Sequence, residues 1–163
     1  MKQVRVGLIS DTHGLLRAEA VAFLRGSDFI IHAGDIGAPE VLQTLAAIAP
    51  VTAVRGNNDR ERWAADIPET AVLAVGAIRI CVLHDLAELA LDPGASDIQV
   101  VVSGHSHKPR SEERDGVLYV NPGSAGPRRF RLPISIADLQ LSGRAVKPRV
   151  VELQDPSARA KRR

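Results

Sequence analysis

Residues 4–13 read VRVGLISDTH, and this stretch decides the fold because a β-branched apolar run stops abruptly at a polar turn. The run predicts a buried strand at residues 4–9 that ends in a loop. Alternating strands and helices, as they follow here, are typical of a parallel α/β sheet. The expected elements are a helix over residues 15–24, a strand at 29–31, a helix over 39–49 and a strand at 51–54.

The second half of the chain is richer in strands. Gly76-Ala77 separates two short apolar runs at residues 71–75 and 78–83, which is a hairpin signal. A short helix is expected at residues 85–91. Further strands are expected at residues 98–102, 117–120, 134–139 and 146–153. We therefore predict an α/β fold in which two sheets pack together with helices outside.

The composition is that of one globular domain: 163 residues, of which 45% are hydrophobic and 25% charged. A chain of this length buries enough surface to fold without disulfides or a structural metal. The single cysteine, Cys81, lies in an apolar run, which excludes a disulfide framework and predicts a buried thiol in a reducing compartment. No apolar stretch approaches the roughly 18 residues needed to span a bilayer, so we expect a cytoplasmic protein without membrane contact.

The positive charge is concentrated at the carboxyl end. The net charge is +2, and residues 155–163 carry four basic side chains against one acidic, so residues 1–154 together stand at −1. We expect one domain over residues 1–154 and a disordered basic tail after it. Only five aromatic residues occur, so no stacking platform for nucleic acid is evident and specific nucleic-acid binding is not expected.

Five loops follow apolar runs and contain residue types that bind metals. Because ligands collect outside the carboxyl ends of strands in parallel sheets, we expect these loops to converge on one place. The loops are Asp11-Thr12-His13, Gly34-Asp35, the stretch 56–59, His84 and the stretch 104–107.

The spacing within the loops also favours a metal site. In extended backbone, residues two apart point the same way, so Asp11 with His13, and His105 with His107, are each expected to face a common centre. Carboxylates, an amide and imidazoles without a thiolate suit manganese, iron, zinc or nickel better than calcium or magnesium. Glycine precedes a candidate ligand in three of the loops, where the missing Cβ permits a sharp turn or close approach.

The order Asp-x-His, Gly-Asp, Gly-Asn-x-Asp, His and Gly-His-x-His, followed by Asn-Pro-Gly-Ser at residues 121–124, resembles the calcineurin-like metallophosphoesterases. Within that superfamily the chain is most similar to the small single-domain bacterial and archaeal phosphodiesterases. The resemblance covers residues 4–153. It implies a four-layer α-β-β-α sandwich of two packed mixed sheets, with a centre for two divalent ions, manganese foremost, between the sheet ends.

The resemblance also implies roles for individual residues. One ion would be held by Asp11, His13, Asp35 and His107, and the other by Asp35, Asn57, His84 and His105, with Asp35 as the bridge. A hydroxide bridging two ions ~3.5–4 Å apart would attack phosphorus in line with the leaving group, without a covalent enzyme intermediate. The residues expected to take part in catalysis are Asp35, Asn57, Asn58 and His107.

Two positions depart from the family pattern. Many members carry His where this chain has Asn58, and that His protonates the leaving group, whereas an amide cannot supply a proton near neutral pH. Poor leaving groups should therefore react slowly. Asp85 stands where glycine commonly follows the motif His, and it can either cap the next helix or act near the metals.

Other residues keep two interpretations open. His32 lies beside the Gly34-Asp35 loop and can be core packing or a support for the metal ligands. Arg128 or Arg129 can pair with a substrate phosphate or stay solvated. The stretch 121–124 is expected to be a rigid turn that braces the ligand loops.

The functional expectation is a phosphodiesterase acting on a small phosphate ester, and a phosphomonoesterase would use the same site. In the retromer coat the same fold is a non-catalytic protein-binding scaffold, but here every expected ligand position holds a competent residue. A nucleic-acid-binding module that used the basic tail would still bind in the presence of a metal chelator. A homodimer is kept open as the oligomeric state.

Overall fold

The computed structural model describes residues 2–129 and 131–154, and its first sheet is built around the amino-terminal strand. The strand order is β10-β9-β1-β2-β3, in which β1, β2 and β3 run parallel, β9 is antiparallel to β1, and β10 is antiparallel to β9. The elements are β1 (Val4–Ile9), α1 (Ala18–Leu24), β2 (Phe29–His32), α2 (Pro39–Ala46), β3 (Val51–Ala53), β9 (Ser135–Ser142) and β10 (Ala145–Glu152).

The second sheet has the order β4-β5-β6-β8-β7. Its three central strands β5, β6 and β8 are parallel, and its two edge strands β4 and β7 are antiparallel to their neighbours. The predicted hairpin around Gly76 is confirmed as β4 and β5. The strands are β4 (Thr70–Val75), β5 (Ile78–Leu83), β6 (Val100–Val102), β7 (Arg110–Arg114) and β8 (Val117–Asn121).

The two sheets pack face to face through one apolar core. Leu8 and Ile31 from the first sheet join Ile80, Val102 and other residues of the second in a single buried cluster. A second cluster lies between the first sheet and the two helices and includes Leu24 and Leu45. Removal of such apolar surface from water is the main stabilising term for the sandwich. The predicted two-sheet sandwich is therefore confirmed.

The fourth layer is thinner than predicted. The expected helix at residues 85–91 is wrong, because only a single 3₁₀ turn, Leu86–Glu88, forms there. The backbone nitrogens of Glu88 and Leu89 donate to the carbonyls three residues before them, and the residue before Pro93 disfavours the helical conformation. Leu86 and Leu89 nevertheless pack on the outer face of the second sheet, beside the buried Cys81.

Other element boundaries also shift. Helix α1 begins at Ala18 and not at residue 15, and helix α2 ends at Ala46 and not at residue 49. Strand β7, RSEER, was not predicted because its charged residues lack the alternation of a half-buried strand. The tail expected at residues 155–163 lies outside the described residues. Within the described ranges, no helix is both long and apolar enough to cross a membrane.

The strand directions decide where the site forms. The loops that follow β1, β2, β3, β5 and β6 carry the candidate ligands and lie at the carboxyl ends of parallel strands. Because the two sheets are packed together, loops from both meet along one end of the sandwich. The backbone nitrogen of Gly104, after β6, donates to the carbonyl of His84, after β5, and the nitrogen of His105 donates to Asp11, after β1.

Candidate metal centre

Asp11 lies at the middle of the cluster and is completely buried. One carboxylate oxygen, Oδ2, accepts from the Ser10 hydroxyl at 2.6 Å and from the backbone nitrogen of His105 at 3.1 Å. The other oxygen, Oδ1, lies 3.3 Å from Nε2 of His107. Two sets of side chains, Asp11–His13–His107 and Asp11–Asp35–His84, each bring their candidate ligand atoms within 4.8 Å of one another.

Hydrogen bonds from the loop after β3 fix the orientation of Asp35. Its Oδ1 accepts from the backbone nitrogen of Asn58 at 2.9 Å, and its Oδ2 accepts from the Asn58 side-chain amide at 3.1 Å. Nε2 of His84 lies 3.3 Å from the same Oδ2. The predicted catalytic residue Asn58 therefore uses its amide to orient Asp35.

Three imidazoles, those of His13, His84 and His107, lie beside the two carboxylates, and the ring of His105 is not among them. His13 has its Nε2 3.9 Å from Asp11 and 3.8 Å from Asp35. His84 is buried and donates its Nδ1 proton to the carbonyl of Ala33 at 2.7 Å, because a carbonyl can only accept. This bond leaves the Nε2 lone pair of His84 facing the carboxylates, which is the arrangement of a metal-binding imidazole.

His105 and Asn57 form the exposed side of the cluster. Nδ1 of His105 lies 3.2 Å from Oδ1 of Asn57, and its ring packs edge-on against His84. Asp85 fits both interpretations left open by the sequence. Its Oδ1 accepts from the nitrogen of Ala87 and caps the 3₁₀ turn, while its Oδ2 lies 3.8 Å from Nε2 of His105.

The backbone at the candidate ligands differs from the extended conformation assumed from the spacing. Asp11, His13, Asp35, His105 and His107 all have φ between 47° and 71°, which is the left-handed region. The expectation that extended backbone aligns residues two apart was therefore wrong, although the Asp11–His13 contact does form. L-residues in this region cost of order 1–3 kcal/mol each, and strain of this kind concentrates at functional sites.

Glycines permit the loops to approach so closely. A Cβ on Gly34 would lie 2.7 Å from Nδ1 of His84, and a Cβ on Gly56 would lie 2.2 Å from both the nitrogen and Oδ1 of Asp35. Gly34 also has φ of 99°, a conformation that glycine adopts without cost. The glycines before the ligands are thus needed because neighbouring ligand loops, rather than an ion, occupy the space of a side chain.

The sequence did not reveal the role of Asp59. This buried carboxylate accepts from the backbone nitrogens of Ile36 at 3.0 Å, Gly37 at 3.0 Å and Gly56 at 2.9 Å. It therefore ties the loop after β2 to the loop after β3. The only signal in the sequence was an acidic residue at the end of Gly-Asn-Asn-Asp, where a ligand role and a structural role look alike.

His32 lies in the buried core and also supports the loops that carry the candidate ligands. It is fully buried, its Nδ1 accepts from the backbone nitrogen of Gly34 at 3.1 Å, and its Nε2 lies 2.9 Å from the hydroxyl of Thr12. Since Nδ1 accepts, the ring proton is on Nε2 and is donated to Thr12, whose hydroxyl donates to the carbonyl of Ile36. The neutral imidazole thus joins the loops that carry Asp11 and Asp35.

The turn at residues 121–124 braces the site as predicted. Asn121 donates through Nδ2 to the carbonyl of Gly104 at 3.0 Å, and the Ser124 hydroxyl donates to the carbonyl of Asp11 at 3.0 Å. The two arginines beyond this turn differ. The Nε of Arg128 donates to the carbonyl of Leu132, whereas the charge of Arg129 acts on His13.

Burial and neighbouring polar or charged groups shift the pKa values of Asp35, Asp11 and His84 in opposite directions. Burial raises the pKa of Asp35, but His84 and the backbone nitrogen of Asn58 lower it more, so its pKa lies well below the ordinary range. Burial also raises the pKa of Asp11, and His107 and Ser10 reverse this effect, so its pKa is lowered. Burial lowers the pKa of His84, yet Asp35 and Asp11 raise it above the usual value. Both carboxylates are charged at neutral pH and favour a cation beside them.

The donor atoms fit divalent metal ions. Among the described residues, four buried ring or carboxylate atoms at this site have no hydrogen-bond partner: Asp11 Oδ1, His13 Nε2, His84 Nε2 and His107 Nδ1. A buried polar atom without a partner is costly, and a bound cation would satisfy these lone pairs. Oxygen and imidazole donors without sulfur match first-row divalent ions.

Comparison with known proteins agrees with this geometry. The profile of the calcineurin-like phosphoesterase superfamily domain matches residues 4–144. A relative from Methanothermobacter thermautotrophicus named as a probable metallophosphoesterase is 33% identical over 171 residues, which cover 95% of this chain and 96% of the relative. A phosphodiesterase from Methanocaldococcus jannaschii is 30% identical over 140 residues, which cover 74% of this chain and 83% of the relative.

Solved structures show the same architecture. Vacuolar Protein Sorting 29 from Cryptosporidium parvum matches with a TM-score of 0.79 and 26% identity, over 94% of this chain and 93% of that chain. The family match, the relatives named as phosphoesterases and the Asp/His groups that could bind a metal support hydrolase activity. The chain belongs to the calcineurin-like phosphoesterase superfamily, as its order of motifs predicts.

Proposed function

We propose that this protein is a metal-dependent phosphodiesterase whose active site is the cluster around Asp11 and Asp35. The observation that carries the proposal is the set of buried atoms without partners, contributed by Asp11, His13, His84 and His107 from three different loops. Side chains gathered only for packing would have satisfied these lone pairs among themselves. The relative named as a phosphodiesterase supports the substrate class.

The residues present would hold two ions. We assign Asp11, His13, Asp35 and His107 to one ion and Asp35, Asn57, His84 and His105 to the other, with Asp35 shared. When bound, two divalent ions lower the pKa of water and neutralise charge on the phosphate. Manganese is the proposed metal, and iron, zinc and nickel are the alternatives that the same oxygen and nitrogen donors accept.

The chain's own residues prepare this site in three ways. Asn58 holds Asp35 through both its backbone nitrogen and its side-chain amide, so the shared carboxylate keeps one orientation. Asn57 and His105 form the open wall through which a phosphate ester can enter. His107, buried beside Asp11, holds its imidazole against the carboxylate within the proposed first ligand set.

The amide of Asn58 cannot supply a proton to the leaving group. The proposed enzyme therefore favours esters whose leaving group is stable as an anion, such as p-nitrophenolate. This preference separates the present chain from superfamily members that carry His at the same motif position.

The proposal is tested by hydrolysis of bis-p-nitrophenyl phosphate and p-nitrophenyl phosphate, side by side, with a panel of divalent metals. We expect turnover with manganese, faster on the diester. Asp35→Asn should lower kcat/KM by about a thousandfold or more, because several kcal/mol of charge stabilisation are lost. Gly94→Ala, a substitution remote from the candidate ligands that meets only an ordinary contact, serves as the control and should retain activity.

Two results would overturn the proposal. Metal-loaded protein that leaves both esters intact would favour the alternative of a non-catalytic scaffold with the same fold. Equal activity of wild type and Asp35→Asn would show that any turnover arises elsewhere. Faster turnover of the monoester would support the same active site but identify the enzyme as a phosphomonoesterase.

A further inference from the structure

A cavity of about 270 Å³ adjoins the candidate metal centre on the side of His105. Its wall nearest the centre is formed by His105, Gly104 and Asn121, and its outer part by Lys108 and strand β7. A smaller cavity of about 140 Å³, lined by Asn57 and His84 among others, shares His105 as a wall. The smaller cavity therefore reaches the proposed ligands directly, and the larger one lies next to it.

The larger cavity is rich in cations. Lys108, Arg110 and Arg114 line it, and Asp85 is the acidic side chain among its lining residues. Arg110 and Arg114 both pair with Glu112, Arg114 only at 3.9 Å, so one carboxylate is shared between two guanidinium groups. Within residues 2–129 and 131–154, no ion pair involves Lys108. The cavity thus carries positive charge that the protein itself does not neutralise.

The cations are also held in place. The guanidinium of Arg114 lies 4.5 Å from the centre of the Tyr119 ring, a cation–π contact that restricts its position. Arg110, Glu112 and Arg114 are two residues apart along β7 and share one face of the strand. The backbone nitrogen of Lys108 donates to the Ser106 hydroxyl, which fixes the start of this segment beside His105.

We infer that this cavity binds a second phosphate group carried by the substrate. The reacting phosphate would lie at the metal centre, and a further phosphate on the retained substituent would contact Lys108 and Arg114. Guanidinium and ammonium groups bind phosphate oxygens through charge-assisted hydrogen bonds. The inference rests on the proposed function and narrows its substrate class to phosphodiesters that bear an additional phosphate, as in a short nucleotide.

The test compares two synthetic esters that differ only in the second phosphate. Both are p-nitrophenyl esters of thymidine 5′-phosphate, and one carries a 3′-phosphate. In each, the oxygen of water bonds to the 5′-phosphorus, the bond from phosphorus to the aryl oxygen breaks, p-nitrophenolate leaves with the bonding electrons, and one water proton is released to solvent while the other stays on the phosphate. We expect kcat/KM to be about tenfold higher for the 3′-phosphorylated ester, the gain from one charge-assisted phosphate contact.

The double variant Lys108→Gln, Arg114→Gln should bring the ratio of the two kcat/KM values close to one. The ratio is measured within one protein, so a general loss of activity cancels. Arg144→Gln, in the turn between β9 and β10, is the matched control and should keep the wild-type ratio. A wild-type ratio near one, or an unchanged ratio in the double variant, would overturn the inference.

A second readout does not depend on turnover. Inorganic phosphate is titrated into chelator-treated, isotope-labelled protein and followed by amide NMR. We expect shifts at Ser106 and Lys108 in wild type and their loss in the double variant, whose remaining spectrum reports that it is folded. Absence of these shifts in wild type contradicts the inference. If neither ester is hydrolysed but the shifts occur, the proposed function fails and the anion site stands.

Discussion

Asp11 and Asp35, at the ends of β1 and β2 in the first sheet, are almost completely buried, whereas the His105 side chain, after β6 in the second sheet, is 46% exposed. These two carboxylates, here called the carboxylate half of the site, accept hydrogen bonds from Ser10, Asn58 and the backbone of His105. The imidazole of His105 contacts only Asn57 and Asp85 by polar groups within the described residues.

This difference in burial indicates that the two sheets have separate roles in the site. Asp11 and Asp35 set the charge of the centre, and their orientation is fixed before any ligand binds, because Oδ2 of Asp11 and both oxygens of Asp35 are already hydrogen-bonded. The second sheet supplies imidazoles, one of which borders both cavities and faces solvent. We therefore expect substitutions in the carboxylate half to affect metal binding most, and substitutions on the open side to affect substrate selection.

The largest expected effect tests the comparison between the buried carboxylates and the exposed imidazole. Asp11→Asn should lower the metal content of the loaded protein by at least one ion per chain, since it removes a buried negative charge that belongs to both groups of candidate ligand atoms. His105→Gln should retain both ions at saturating metal, with one of them bound more weakly than in wild type. Elemental analysis after gel filtration and calorimetric titration measure these quantities.

The opposite order of metal loss in the two variants would refute these separate roles of the two sheets. If His105→Gln lost more metal than Asp11→Asn, the exposed imidazole and not the buried carboxylate would control binding. Circular dichroism of both variants shows whether either substitution has unfolded the protein.

The second prediction concerns the buried support of the carboxylate half. Burial lowers the pKa of His32 from 6.5 to about 4. Between these values the unfolded chain takes up a proton that the folded protein does not, so stability falls as pH drops from about 6.5 to 4. The slope is about 1.4 kcal/mol per pH unit, or about 3 kcal/mol in total.

His32→Gln should remove this part of the pH dependence. Urea unfolding of chelator-treated wild type and variant at several pH values measures the difference in slope, so the absolute stability of the variant does not matter. Parallel curves for the two proteins would show that His32 is protonated in the folded state or that its burial has no energetic effect.

The smallest predicted effect concerns the two arginines that follow the turn at residues 121–124. Arg129→Gln should raise KM for bis-p-nitrophenyl phosphate several-fold with little change in kcat, because its charge acts at His13, beside the centre. Arg128→Gln is the matched control, since that guanidinium donates to the carbonyl of Leu132. Equal KM values for the two variants would leave both arginines as solvated surface residues.

Much of this organisation could be predicted from the sequence. The apolar run at residues 4–9 and its polar stop gave the first strand and the loop of Asp11, and the hairpin around Gly76 followed from its turn residues. The candidate ligands were identified because each follows an apolar run. Strand β7 was missed because its charged residues, RSEER, give no alternation, although it pairs with β8, the next strand along the chain.

The loop conformations could not be predicted in the same way. The sequence suggested extended backbone at Asp11 and His13, but both adopt left-handed φ because hydrogen bonds from neighbouring loops hold them there. Asp59 was likewise ambiguous, since three amide donors from two loops meet only after the chain has folded.

The sequence by itself determined which residues can bind metal and that they follow strands, because hydrophobic period and residue chemistry are local properties. The tertiary structure alone decided how the two sheets bring these loops together, which ring and carboxylate atoms remain without partners, and that a cationic cavity adjoins His105. Those features depend on contacts between residues far apart in the chain, such as Asp11 with His105, and no local pattern encodes them.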